Sequence, residues 1–417
     1  MKRSFVMFVI AAMVLGFITG MIVHGATSPA GAKQAADGFS QVTNIFLRLI
    51  KMIIAPLVLT TLTSGIGHIE SAATVGRIGT KAMIWFLTAS FVALLIGLVM
   101  VNILQPGLGA GVAQAAGSVA EAGVGPAQGV GGFLEHLIPS SIIDAMARNE
   151  ILQVVVFSLF AGIAISAVGE KAKALLHVIE QAATVILKVT TYVMMFAPIA
   201  IFAAIASAIS TQGVGILVTY AKLVGDFYIS ISLLIALMIF VAWLVVGAQM
   251  RPLLKAIRSP ALIAFSTSTS EAAFPLLLES LEAMGFSSKI VSFVLPLGYS
   301  FNLVGSTMYC TFAAMFIAQA YNIHVPISQQ ILMLLMLMVT SKGIAGVPRA
   351  SLVVVAATLP YFNLPEQGLF LILAVDHLMD MGRSATNVIG NGLASAVVAK
   401  WENARPMPIA ARPEAIV

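Results

Sequence analysis

Apolar and polar positions alternate along this chain on the scale of whole membrane crossings, not of single helical turns. Apolar runs of about 20 residues, the length that crosses a bilayer as a helix, cover 4–24, 42–66, 81–104, 150–168, 180–209, 217–247, 288–321 and 367–399. Two further apolar stretches are interrupted at their centres. Residues 253–282 carry STSTS at 266–270, and residues 327–359 carry SKGIAGVPRAS at 341–351. Each has two arms of about a dozen residues, too short to cross alone, around a tip whose Ser, Gly or Pro residues break a helix. Backbone outside a helix is tolerated at membrane depth only where protein or a cavity surrounds it. Both stretches are therefore expected to be re-entrant helical hairpins.

Composition agrees. Of 417 residues, 59% are hydrophobic and 9% charged, against about 25% charged in soluble domains. The expected fold class is an all-α polytopic membrane protein with eight transmembrane helices and two hairpins. The net charge of +5 is confined to a few loops, so it sets topology and does not mark a nucleic-acid surface. With Lys2 and Arg3 inside, eight spans put Arg77, Lys81, Lys171, Lys173, Arg251, Lys255, Arg258, Lys400 and Arg405 on that same side. The opposite loops 105–147, 210–216 and 359–366 hold no Lys or Arg, and the first outside loop holds only Lys33. By the positive-inside rule both termini are cytoplasmic, and counting either hairpin as a span breaks the pattern. Hairpins opening from opposite sides suggest inverted halves.

The N-terminal apolar run is longer than a signal-peptide core, so it is taken as the first span. Cys310, the single cysteine, is read as packing. The Gly/Ala-rich segment within 105–132 is expected to be a flexible extracellular connection. Residues 138–151 are amphipathic and suit the interface. The Pro- and Ala-rich tail, 402–417, is expected to be disordered in the cytoplasm.

The last apolar run contains DHLMDMGRSATNVIGN, residues 376–391. A charge at membrane depth costs roughly 2.5–3.5 kcal/mol even on lenient insertion scales. At about 100° per residue, Asp376, Asp380, Arg383, Ser384, Asn387 and Asn391 fall within an arc of roughly 100°, one stripe that cannot face lipid. A structural Asp380–Arg383 pair at i,i+3 explains two of these positions; it leaves the length of the stripe unexplained. The preceding run holds GYSFNLVGSTMY, 298–309, where Gly298, Asn302 and Gly305 interrupt a helix and free backbone carbonyls. Such carbonyls, with Asn and Ser oxygens, make cages for small cations. Hairpin tips add helix N-termini whose N–H groups attract carboxylates. Arg383 offers a fork to a carboxylate, and Asp380 an acceptor for an ammonium. The set is complementary to an acidic amino acid.

Taken in order, STSTSEAAFP, FNLVGS, SKGIAGVP and DMGRSATNVIGN resemble the dicarboxylate/amino acid:cation symporter family, which includes the excitatory amino acid transporters. The resemblance covers nearly the whole chain. It implies a homotrimer in the inner (plasma) membrane and an elevator mechanism. A scaffold (about 1–80 and 133–215) would hold a moving transport part (about 81–104 and 216–400). It further implies that Arg383 binds the distal carboxylate and Asp380 the amino group, with Ser384, Asn387 and Ser306 beside them. Ser268, Ser270 and Val347 would lie at the α-carboxylate side. Gly298, Asn302, Asn387 and Asn391 would line one cation site, and Ser300, Ser341 and Ile344 a second.

Two positions depart from the sodium-coupled pattern. Val304 stands where such members carry an aspartate, and Asn391 where another aspartate is common. Both changes weaken a sodium cage, since affinity for hard cations follows ligand charge. Proton coupling is then favoured, with Glu271, Asp376, His377 and Asp380 as candidate carriers. Arg349 also departs, and nothing in the sequence explains it.

The expected function is secondary symport of glutamate or aspartate with protons and/or sodium, with no cofactor beyond that ion. Partners are the substrate and the bilayer, and not nucleic acid. Symport of C4-dicarboxylates such as succinate, fumarate or malate stays open, because NGLASAVVAKW looks more like that subgroup. An anion channel and a non-transporting sensor stay open as other classes. No nucleophile–base pair or metal-ligand spacing points to an enzyme.

Overall fold

The computed structural model describes residues 3–67, 73–109, 138–148, 150–343 and 350–402. Its regular structure is helical, with no strand among the described residues. In chain order the helices are α1 (Arg3–Ala26), α2 (Pro29–Gly67), α3 (Ala73–Leu104), α4 (Ile142–Ala147) and α5 (Ile151–Val168). Next come α6 (Lys173–Met194), α7 (Ala197–Gln212), α8 (Gly215–Val246), α9 (Met250–Thr267) and α10 (Phe274–Ala283). The remaining five are α11 (Ser288–Phe301), α12 (Val304–Ala320), α13 (Ile327–Thr340), α14 (Ala350–Thr358) and α15 (Leu369–Trp401).

Burial separates lipid-type faces from a true interior. Ile18 and Ile22 on α1, Phe160 and Ile163 on α5, Val185 on α6, and Val218 and Leu244 on α8 are exposed apolar side chains. In water such faces would be unfavourable; a bilayer accepts them. By contrast α12 is buried continuously from Val304 to Ala318, and α15 along nearly its whole length. Around α15 pack α8, α9, α11 and α12, while α3 packs along α12. A second group joins α1 to α7 and sets α2 against α5, α6 and α7.

Three helical runs among the described residues are long and apolar enough to cross a membrane: Arg77–Leu104, Gly215–Thr267 and Ile290–Ala320. Val156–Val193 with Ala197–Gln212, meeting at 44°, make a fourth if counted as one. The 180–209 run, expected as one span, is two helices, because Pro198 falls in the first turn of α7. Proline has no N–H to bond backwards and is accepted there but not in a helix interior. Helix α2 runs 39 residues, well beyond its apolar part. Helix geometry can continue through the polar residues before 42, which an apolar count does not register.

Both interrupted stretches are broken where the polar residues fall. Helices α9 and α10 are joined by a tip at which Ser268 adopts φ +52° and a 3-10 turn spans Glu271–Ala273. In the second stretch α13 passes into a 3-10 turn, Ser341–Gly343, and α14 begins at Ala350. Residues 344–349 lie outside the described residues, so the structure does not place Ile344, Val347 or Arg349. Residues 110–137 of the long loop and 403–417 of the tail lie outside as well. The 288–321 run breaks at Asn302 (φ −118°, ψ 44°) and Leu303 (φ −86°, ψ 62°).

One boundary of the expected tail needs correcting. Glu402, assigned to a disordered segment, is held by Arg77 at 2.6 Å and Lys81 at 2.7 Å, and Lys81 also donates to the Trp401 carbonyl at 2.6 Å. These contacts tie the end of α15 to the start of α3. Hydrogen bonds from Arg77 and then Lys81 hold the Glu402 carboxyl below the ordinary glutamate range. A carboxyl whose pKa falls on folding stabilises the fold above its unfolded value, and that contribution is lost as pH drops through the folded value. Because Arg77 is largely exposed, water and salt screen the pair and the effect is small. Glu402→Gln should therefore lower the melting temperature in detergent by no more than about 2 °C at neutral pH. The difference from wild type should begin to shrink below about pH 4, the ordinary glutamate value, and vanish only as pH falls through the lowered folded value, read by thermal unfolding at several pH values.

Candidate functional site

The site is built where α15 crosses the break between α11 and α12. Glycine makes that crossing close. A Cβ on Gly305 would overlap the Arg383 carbonyl, and one on Gly298 would lie 2.5 Å from Asn391 Oδ1. The free N–H groups at the start of α12, which have no partner within their own helix, find Asn387 instead. Gly305 N donates to Asn387 Oδ1 at 2.9 Å and Ser306 N to the same oxygen at 3.3 Å. Asn387 Nδ2 donates to Ser306 Oγ at 3.0 Å. One asparagine thus clamps the broken helix to α15.

The charged stripe lies inside the protein. Asp376 and Asp380 are fully buried, Arg383 is 2% exposed, and Ser384, Asn387 and Asn391 are buried with them. Asp380 and Arg383 form an ion pair one turn apart. The other end of the guanidinium donates to Ser306 Oγ on α12 at 3.0 Å and to Ser351 Oγ on α14. Its central carbon sits 5.5 Å from the centre of the Tyr309 ring, over a face that attracts cations. Tyr309 in turn donates its hydroxyl to Asp376 Oδ1 at 2.6 Å. Arg383 Nε has no hydrogen-bond partner in the protein. A buried guanidinium N–H left so is costly unless a ligand oxygen meets it, and a carboxylate is the matching group.

A second polar cluster lies two to three turns further along α15. Asn302 Nδ2 donates to Asn391 Oδ1 at 3.0 Å, which leaves Asn302 Oδ1 buried without a donor. Beside it, Val304 is fully buried, with Cγ2 lying 3.0 Å from where a Gly390 Cβ would be. Hydrocarbon therefore stands next to the amide cluster. Ser268, Ser270 and Ser341, at the two hairpin turns, are buried with hydroxyls that find no protein partner.

The structure thus brings Ser306, Asp380, Arg383 and Asn387 into one bonded group, with Asp376 joined to it through the Tyr309 hydroxyl and ring, and sets Gly298, Asn302 and Asn391 together as a second cluster. Ser384 is buried on the same stripe, while Ser300 is half-buried at the end of α11. His377 is buried one residue round from Asp376, and Glu271 is exposed at the first tip. Tyr309 and Ser351 were missed by sequence reasoning. Each lies in a quoted polar stretch, but only the packing of α12 and α14 onto α15 makes them partners of Asp376 and Arg383. Lys342 was missed as well: it is buried in the second hairpin's turn, where a lysine would be expected to reach water.

Comparison with known proteins follows the same outline. The model of the sodium:dicarboxylate symporter family matches residues 5–401. The chain is 38% identical over 410 residues to the proton/glutamate-aspartate symporter of Escherichia coli (strain K12), covering 96% of this chain and 94% of that protein. It is also 38% identical over 395 residues to the proton/sodium-glutamate symport protein of Geobacillus stearothermophilus, covering 94% and 92%. The chain therefore belongs to the sodium:dicarboxylate symporter family, whose members are transporters and not enzymes.

Proposed function

We propose that the protein imports glutamate or aspartate by secondary active symport, driven by protons. The observation that carries this is the buried Asp380–Arg383 pair, with Nε of Arg383 left for a ligand. An acidic amino acid brings two carboxylates and one ammonium, so it meets a guanidinium, a carboxylate and neutral donors in turn. The names of the two relatives support the same substrates. Val304 and the neutral amides of Asn302 and Asn391 favour the proton over sodium, since a sodium ion there would lose its hydration for weak ligands. Asp376, His377 and Asp380 are the proposed proton carriers; Glu271, exposed, is the weakest of the four. Ser268, Ser270 and Val347 complete the proposed substrate set, and Ser300, Ser341 and Ile344 the second cation site.

On this proposal the chain spans the inner membrane eight times with two re-entrant hairpins, both termini cytoplasmic, and assembles as a homotrimer. The packing of α1, α2, α5, α6 and α7 as one group, and of α3 with α8 to α15 as another, supports a fixed scaffold and a moving elevator part.

The test is labelled aspartate uptake into proteoliposomes under a pH gradient alone or a sodium gradient alone. Accumulation is expected under the pH gradient with little response to sodium. Accumulation under sodium alone, and none under pH, would sink proton coupling.

Arg383→Ala should abolish that uptake, and Arg383→Lys, which cannot serve Ser306, Ser351 and Asp380 together, should impair it severely. Losing a buried charge partner costs about 3 kcal/mol or more, over about a hundredfold in apparent affinity. Unchanged glutamate affinity in Arg383→Ala would refute the site.

Asp380 should set the choice of substrate. In wild type, aspartate or glutamate should displace label better than succinate, and Asp380→Ser should erase or invert that order. A wild type that prefers succinate would make the protein a C4-dicarboxylate symporter.

A further inference from the structure

Helix α15 is buried along nearly its whole length, and the exceptions line up. Between Leu371 and Ala399 the partly or fully exposed positions are Leu378, Met381, Ala385 and Ile389. At about 100° per residue they lie on the face opposite the stripe of Asp380, Arg383 and Asn387. Helix α8 meets the first part of this face, where Tyr228 donates to the Leu378 carbonyl at 2.7 Å. Further along, α8 and α9 leave a groove of about 250 Å³ that reaches Ala385 and Ile389. Ile239 of α8 and Leu254, Ile257 and Phe265 of α9 line its sides, and Arg258 is the one charged residue among those lining it.

The edge of the groove is basic. Arg251, Lys255 and Arg258 recur at i, i+4 and i+7, which puts them within an arc of roughly 60° over about 10 Å of α9. Leu262 continues the same line, and all four are exposed. Among the described residues none of the three cationic side chains has a hydrogen bond or ion pair. No carboxylate lies between Asp226 and Glu271, or between Ser384 and Ala399 on α15. Helix α10, packed on α9, carries Glu279 and Glu282, but Glu282 accepts from Ser288 and neither pairs with α9. Trp243, exposed one turn beyond Ile239 on α8, is a residue type that favours the membrane surface.

An acyl chain matches hydrocarbon walls open to a bilayer, and a phosphate matches an unpaired guanidinium. A soluble anion would meet the cations but not the groove, and a neutral lipid the groove but not the cations. We propose that the groove between α8, α9 and α15 binds an anionic phospholipid. One acyl chain lies against Ala385 and Ile389, and the phosphate sits on Arg258 with Arg251 and Lys255 beside it. On the proposed orientation this lipid belongs to the cytoplasmic leaflet. Its chain supports the back of the helix whose front carries Asp380 and Arg383. Binding does not depend on which substrate or coupling ion the protein uses.

The test is native mass spectrometry of the full-length protein, exchanged into phosphatidylglycerol or phosphatidylcholine with the same acyl chains. Wild type should retain phosphatidylglycerol in preference. Its melting temperature in detergent should rise with that lipid, as it does for a ligand of the folded state. Arg258→Gln should weaken retention about fivefold or more, the worth of one basic contact to an anionic headgroup. Ala261→Phe leaves every charge in place and fills the groove, so it should weaken retention as well. Lys171→Gln with Lys173→Gln removes two exposed charges expected on the same side of the membrane and should change nothing. Equal retention of the two lipids by wild type would overturn the proposal. So would an equal loss in the Lys171 and Lys173 variant, which makes the attraction a bulk surface effect. A loss in Arg258→Gln without one in Ala261→Phe puts the chain outside the groove and overturns it too. Release of a second copy of the chain by Ala261→Phe, with lipid unchanged, would make the groove a subunit contact instead.

Discussion

A guanidinium and two carboxylates lie buried out of reach of bulk solvent, and the surrounding architecture follows from that. Such groups persist only where every neighbour supplies a charge or a dipole. Here Arg383 draws Ser306 from α12, Ser351 from α14 and Asp380 from its own helix, while Tyr309 caps Asp376. Two of those partners come from other elements, so the hydrogen bonds to Ser306 and Ser351 form only where α12 and α14 meet α15. The same requirement explains the close crossing at Gly305, where any side chain would push α12 off the Arg383 backbone.

The broken helix is the second half of that arrangement. An unbroken helix through Asn302 would satisfy its own backbone and leave Asn387 Oδ1 without the two N–H donors it takes here. Breaking it at Asn302 and Leu303 releases N–H groups on one side and carbonyls on the other. Asn387 takes the N–H groups, and the Lys342 ammonium takes the carbonyl of Phe301. One break thus offers two opposite polarities within a few residues. A site that must receive an anion and a cation together needs that property.

How much of this could be read from the chain depends on whether the information is periodic or spatial. The polar stripe from Asp376 to Asn391 follows from helix geometry and a hydrophobic background, and α15 carries it buried. The interruption near Asn302 was visible because Gly and Asn punctuate an apolar run, and the first hairpin's turn because five Ser and Thr residues do so. Cross-element partners left no such mark: a tyrosine within an apolar helix, such as Tyr309, reads as packing. The 180–209 stretch misled for the opposite reason, since apolar character continues through a backbone break at Met195 and Phe196 that only Pro198 marks.

Charge accounting separates the proton from sodium more sharply than the ligand set does. A sodium site lowers the cost of a buried ion by surrounding it with formal negative charge. In the second polar cluster the ligands are amides, and Val304 adds hydrocarbon. Near Phe301 the oxygens are again neutral, and the cation present is the protein's own. Neutral oxygens hold an ammonium more easily than a metal ion. The ammonium's charge is delivered on a covalent tether, with no mobile ion to dehydrate. A cage depleted of carboxylates offers a metal ion little charge in return for its lost hydration, and that imbalance is why the proton is the proposed coupling ion.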